Sequence, residues 1–328
     1  MADNELDLMQ WQIGKQTTFG TKVTPTVKLV GIKDGTITPN VDNAIIEEQR
    51  GTLTPGYTSV QNKVSGAAKV SGEAYAEVIG YMLDNLFGPA TPSGAGPYVR
   101  VYTGPGAKPA VQPITLVRGS SEGAYCLTGA VLNELNLKSE KNKPLAFDGS
   151  FLGQSVEAHA LAALTDPATL NMFHANQVAI KLDTWAGTMG TTALTCTSFS
   201  ADLGLNFNKA LKAGLGSAKP TGVSIKKLDG GGNQLKLGLE FESAQSKGWL
   251  DSAIGSTVFQ AQVQMLYTIS AGVSLKIEYA GFSSKAPEIF KDEDGIATMD
   301  FTLNPQYHAT LGSWLKITLT NGQATLLG

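Results

Sequence analysis

Short runs in which apolar and polar residues alternate recur along most of the chain, bounded by glycine, proline, asparagine or aspartate. A period of two puts one face of a strand on a core and leaves the other polar, as antiparallel sheets do and buried parallel sheets rarely do. In the first half, residues 27–32, 36–38, 64–70, 98–102 and 114–117 read as strands, with a hairpin turn at Asp34-Gly35. Residues 125–137 read as a strand pair or one long bent strand, and 147–152 closes that half. In the second half the same pattern marks 177–182, 203–207, 235–241, 259–267, 273–279, 296–303 and 315–320. One stretch departs clearly. Over 73–86, Ala74, Ala76, Val78, Ile79, Met82, Leu83 and Leu86 recur at intervals of three and four, and Gly88-Pro89 follows, so a helix is predicted there. A shorter helical piece is expected over 248–254.

The first 22 residues are polar and broken by Gly14 and Gly20, which reads as an arm lying on another body. Residues 157–176 lack alternation and contain Asp166-Pro167, so they read as an inter-domain segment with a short helix on each side of the proline. Each half orders its elements alike: strands, a polar loop, a strand, one helix, then more strands. The expectation is a mainly β chain of two β-sandwich or barrel domains, each with one accessory helix and related by duplication. The boundaries are 1–22 for the arm, 23–156 for the first domain, 157–176 for the connection and 177–328 for the second domain.

Two β domains fit a length of 328 residues. Charged residues make up only 16%, below the roughly 25% of ordinary soluble proteins. A surface so poor in charge resists self-association weakly. The net charge of −3 supplies no general attraction for nucleic acid. Cys126 and Cys196 read as buried thiols in strands, because two cysteines do not make a disulfide framework in a chain this long. His159, His174 and His308 are far apart and lack metal-ligand neighbours, and no nucleophile-elbow spacing occurs. The cluster Gly230-Gly231-Gly232 lacks phosphate-loop spacing and reads as a hairpin between 223–228 and 235–241. These patterns predict no cofactor, no metal and no enzyme. The start of the sequence lacks the basic end and apolar stretch of a signal peptide, and no run of 18 apolar residues predicts a membrane span. Of the tryptophans, Trp249 is expected to anchor its helix in the core, and Trp314, opposite in parity to Leu315, to face a partner.

The segment 11–21 holds Gly14, Gln16, Gly20 and Thr21 in a GxQxxxGT pattern. With Arg50-Gly51, the Pro55-Gly56 loop and the helix at 73–86, it resembles the tail tube proteins of long, non-contractile-tailed bacteriophages, best over residues 11–90. The resemblance implies tail-tube-like domains whose sheets join identical copies around a ring. Rings then stack through loops and arms, and double-stranded DNA passes down the lumen without sequence-specific binding. Three chains per ring are implied if the domain is duplicated, six otherwise. Trp11, Gln16, Phe19, Arg50 and Tyr57 are then candidates for ring stacking. Asn133, Glu134, Asn136, Ser274, Lys276 and Glu278 are candidates for the lumen wall. Partners would be further copies and other phage tail proteins, not a membrane, in a virion tail made in a host cytoplasm. Another virion assembly or decoration protein, or a carbohydrate-binding β-sandwich, is the alternative. The carbohydrate reading needs exposed aromatics clustered beside acids.

Overall fold

The computed structural model describes residues 8–46, 56, 58–194, 199–240, 244–255, 258–285, 287–293 and 296–326. The first half contains β1 (Gln10–Lys15), β2 (Val27–Leu29), β3 (Ile32–Ile46), β4 (Thr58–Glu73), α1 (Ala76–Phe87), β5 (Tyr98–Thr103), β6 (Ile114–Ser120), β7 (Gly123–Glu140), β8 (Ala146–Gly153) and β9 (Ser155–His159). The second contains β10 (Val178–Thr184), β11 (Phe199–Asn206), β12 (Lys209–Gly214), β13 (Ser217–Ile225), β14 (Leu235–Glu240), α2 (Ala244–Gly255), β15 (Phe259–Ser270), β16 (Val273–Ser283), β17 (Glu288–Glu293), β18 (Ile296–Pro305) and β19 (Leu315–Asn321). The fold is mainly β with minor helix.

Seventeen strands form one hydrogen-bonded sheet, and β12–β13 stands apart as a two-stranded ribbon. The two halves expected to be domains are thus joined through one sheet. β7 pairs with β11 across the expected boundary, and β5 pairs with β19. Alternating apolar side chains from both halves meet in one core, including Leu135, Phe151, Leu203, Leu237, Ile277 and Phe301. Burial of each such side chain contributes about 1.5–3 kcal/mol, so the joined halves are held by the core as well as by ladders.

The ladder order of the first half recurs in the second. β1 pairs with β6, β6 with β7, and β7 with β9; β10 pairs with β15, β15 with β16, and β16 with β19. Likewise β3 pairs with β4 and β4 with β8, as β11 pairs with β14 and β14 with β18. One helix follows β4 and one follows β14.

Several local expectations change. Asp34-Gly35 lies inside β3, because 32–46 runs on against β4 over its whole length. The first helix starts at Ala76, since Glu73 still pairs with Ala146 as the last residue of β4. It is buried on nearly every side, not only on one face. Residues 125–137 belong to one long strand. The short helices expected beside Pro167 are missing: β9 takes up 155–159, and a single 3-10 turn, Ala175–Gln177, precedes β10. The Gly230–Gly232 segment is a 3-10 turn, not a hairpin, because β13 pairs with β12 whereas β14 pairs with β11 and β18. Trp249 does pack into the core, edge-on to Phe259 at 5.2 Å. Trp314, expected to face a partner, is buried within the chain, edge-on to Tyr279 at 5.9 Å. Cys126 is a buried free thiol, and Cys196 lies outside the described residues.

Candidate assembly surfaces

The segment expected to be an arm is built into the body. β1 lies between β2 and β6, with Trp11 opposite Leu29 and Arg118. Trp11 is only 5% exposed, and the Arg118 guanidinium stacks on its ring at 5.3 Å. Gln12 exchanges two 2.9 Å hydrogen bonds with the backbone of Ala162. Gln16 is buried as well: its Nε2 donates to Thr115 Oγ1 at 2.8 Å, and its Oε1 accepts from the Gly20 N–H at 3.1 Å. Gly20 has φ +81°, a backbone state that side-chain-bearing residues adopt only at a cost, and a Cβ on Gly14 would lie 2.8 Å from the Thr24 carbonyl. The pattern that carries the family resemblance therefore makes a turn that clamps β1 to β6. Trp11 and Gln16 are committed inside the chain. Phe19 is half-buried beside Gly129, and Arg50 and Tyr57 lie outside the described residues.

The joint between the halves is a strand edge filled by another strand. Residues 134–140 of β7 pair antiparallel with 200–206 of β11. Asn133 belongs to this joint: its carbonyl accepts from the Phe207 N–H at 3.0 Å, and its side chain accepts from the Lys209 N–H. The Lys209 ammonium reaches back to the end of α1 and donates to the carbonyls of Asn85 at 2.9 Å and Leu86 at 2.8 Å. Those carbonyls are orphans of the last helical turn, and a cation there complements the helix dipole. Burial pulls the Lys209 pKa down to about 7. Phe207 completes the joint edge-on to Phe87 at 4.8 Å. Nothing in the sequence distinguishes Lys209 from other lysines of polar runs, and its role became visible only from the fold.

Because of this joint, β3-β4-β8-β7-β11-β14-β18-β17 is one uninterrupted succession of ladders spanning both halves. Its inner face is apolar and its outer face polar. One outer row runs Lys69, Ser150, Glu134, Asn206; the next runs Ser71, Asp148, Asn136, Gly204; a third runs Lys138, Asp202, Lys236, Thr302. A groove of about 740 Å³ follows this face, with Glu140, Asp202, Glu288 and Asp300 among its lining. Glu134 and Asn136 thus share one polar surface. Ser274, Lys276 and Glu278 do not join them: they sit on β16 between β15 and β19, where Lys276 lies 3.2 Å from Glu278 and Gln264 donates to Glu278 at 3.2 Å.

Two ribbons leave this sheet and behave differently. β12–β13 continues β11 and lies on the first half: Gln154 Nε2 donates to the Pro220 carbonyl at 2.7 Å, and Lys219 sits 2.9 Å from Glu157. The hydrogen bond from Lys219 lowers the Glu157 pKa, with a further contribution from Ser155. The outer part of β3–β4, residues 41–46 and 58–63, is paired only with itself among the described residues. It displays Val41, Ile45, Ile46 and Val60 to solvent, Ile45 at 68% exposure.

No group of three or more metal-binding side chains occurs among the described residues. An apolar cleft of about 400 Å³ between β10 and α2 contains Trp185 and Trp249. Among the described residues its lining carries no carboxylate.

A β body with an edge-joined sheet, a polar outer face and an exposed apolar ribbon has the surfaces of an assembling subunit. The chain belongs to the phage tail tube protein family, whose model matches residues 9–302. It is thus a structural protein of the viral tail. No curated protein matches the chain significantly.

Proposed function

We propose that the chain assembles into stacked rings forming the tube of a phage tail, through which DNA is ejected from the virion. The observation that carries this reading is the β7–β11 joint, where a sheet of one half extends into the other by edge pairing alone. Strand edges that accept a neighbour are the usual means of closing a sheet into a wall, and a head-to-tail contact that closes makes a ring. The polar face with Glu134 and Asn136 is the lumen wall in this reading. Its interspersed acids discourage the phosphate contacts that would hold DNA, since attraction grows with each phosphate neutralised. Ser274, Lys276 and Glu278 lie on β16, outside that succession of strands, and have no lumen role in this reading.

The recurring ladder order supports two tube-like units per chain, on either side of residues 157–176. Three chains then complete a pseudo-sixfold ring; without equivalence of the units, six would be needed. Ring stacking falls to Phe19 and to the loop carrying Arg50 and Tyr57, along with contacts to other tail proteins. Trp11 and Gln16 act through the stability of the subunit.

Sedimentation of the purified chain over rising concentration tests the reading. Discrete rings and longer tubes are expected, visible by negative-stain microscopy. A single monomer boundary at the highest concentration overturns it.

A further inference from the structure

The ladder of β12–β13 is separate from the large sheet, and among the described residues none of 210–225 enters the hydrophobic core. A two-stranded hairpin with no core face is marginal by itself. What holds this ribbon in place must therefore lie at its root and where it rests on the first half.

At the root, Asn208 has φ +47°, a left-handed state that asparagine tolerates better than most residues. It turns the chain from β11 into β12, and its Nδ2 donates to the Lys227 carbonyl at 3.0 Å, joining outgoing and returning strands. Lys209 beside it is fixed to the end of α1. Farther out, the ladder passes from Lys212–Gly222 straight to Gly214–Ser217, so 218–221 have no ladder partners. The Pro220 carbonyl is left open in this way, and it accepts from Gln154. Lys219 meets Glu157, which also accepts from Ser155 Oγ at 2.9 Å.

The turn of the GxQxxxGT pattern lies directly under this contact. Gln154 extends from a fixed point, because its own N–H donates to the Thr128 carbonyl at 2.7 Å. Its side-chain amide rests on Gly20, where a Cβ would lie 2.3 Å from Oε1 and 2.5 Å from Nε2. Those atoms are the flexible end of a side chain, so a methyl group at Gly20 would displace the amide that reaches Pro220.

We infer that β12–β13 is a hinged flap, with its hinge at Asn208, held shut by a catch that Gln154 and Glu157 form over the Gly20 turn. Hinges of this kind need only a few element-terminal residues that absorb a backbone change. Among the described residues, the polar ties of the catch are one neutral hydrogen bond and one ion pair. Lys219 and Glu157 are 46% and 34% exposed, so salt screens the ion pair and leaves the hydrogen bond in place. Opening releases the flap while the β7–β11 joint stays paired. Gly20 is thus a positioning residue for the other half of the chain, as well as the turn of its own segment.

Amide hydrogen exchange of the full chain, read by mass spectrometry at a single pH, tests the flap. Gln154→Ala is expected to speed exchange over 210–225 about fivefold, as loss of one hydrogen bond predicts. Residues 114–120 and 146–152 should keep parent rates, because the flap opens locally. Gly20→Ala should speed the ribbon to a similar degree, and the two substitutions together no further, since both act through one amide. A glycine that served only its own turn would speed exchange near 16–21 and leave the ribbon unchanged. Added salt should speed ribbon exchange in the parent but not in Glu157→Gln. Ribbon exchange at the parent rate in Gln154→Ala overturns the catch. Ribbon and body speeding together in that variant overturns the hinge, and additive effects of Gly20→Ala and Gln154→Ala overturn the role of Gly20. If Gly20→Ala does not fold, Gln154→Ala and the salt series decide the flap without it.

Discussion

Trp11 shows how a single residue changes meaning between sequence and structure. In a polar stretch it resembled a plug for a partner, yet it is buried under Arg118 and against Gly35, where a Cβ would lie 2.5 Å from its ring. Trp11→Ala is expected to destabilise the monomer by about 3–5 kcal/mol, the usual consequence of removing a buried aromatic. A denaturant midpoint unchanged from the parent contradicts that. Gly20→Ala puts a side chain at φ +81° and should cost about 1–2 kcal/mol, read from the same titration. Lys209 carries a pH signature. Its pKa is lowered from 10.5 to about 7 by burial, so between those values the unfolded chain holds its proton more tightly than the folded one. Stability from this group therefore rises with pH from about 7 towards 10. Thermal melts across that range should show the rise, and Lys209→Met should flatten it; equal slopes refute the assignment. The Gly20 turn lies within a motif visible in the sequence, whereas the roles of Trp11 and Lys209 were not legible because each depends on residues distant along the chain.

At the scale of elements, alternation located most strands but missed β1, β9, β12 and β17, and the period of α1 was unmistakable. What local patterns could not show was where a strand stops or which neighbour it takes. Asp34-Gly35 has the composition of a turn, yet the ladder with β4 carries β3 straight through it. The N-terminal segment is polar overall, but its alternate residues Trp11 and Ile13 enter the core as those of any edge-paired strand do. Deleting residues 1–22 is accordingly expected to remove β1 from between β2 and β6 and leave a chain with a markedly lower melting temperature. A deletion variant that melts like the parent and fails only to elongate contradicts this. The β3–β4 ribbon should behave oppositely. Ile45→Asp with Val60→Asp changes exposed positions, so monomer stability should shift by no more than about 0.5 kcal/mol while assembly falls sharply. Unchanged assembly in sedimentation contradicts the ribbon's role.

For the molecule as a whole, the mainly β class and the repetition of element order could be read from the sequence. The joining of the halves could not, since strand pairing between 134–140 and 200–206 leaves no trace in local periodicity. That joint turns two half-sheets into a continuous polar wall with Glu134, Asn136, Asp202 and Asp300 on its outer face. Low charge overall and the exposed apolar ribbon of β3–β4 fit a subunit that is covered by its own copies. Adding positive charge to the wall away from the joint's lysines, with Ser71→Lys and Ser150→Lys, should make assembled rings retain DNA at low salt, lost again as salt rises. Filter binding to double-stranded DNA reads this, and indifference of the variant to DNA argues against a lumen there. The most direct measurement is a cryo-electron microscopy reconstruction of the assembled protein. The account predicts a ring whose channel is lined by β3, β4, β8, β7, β11, β14, β18 and β17, the polar face inward. A channel lined by β15, β16 and β19, or particles that are single chains, would contradict it.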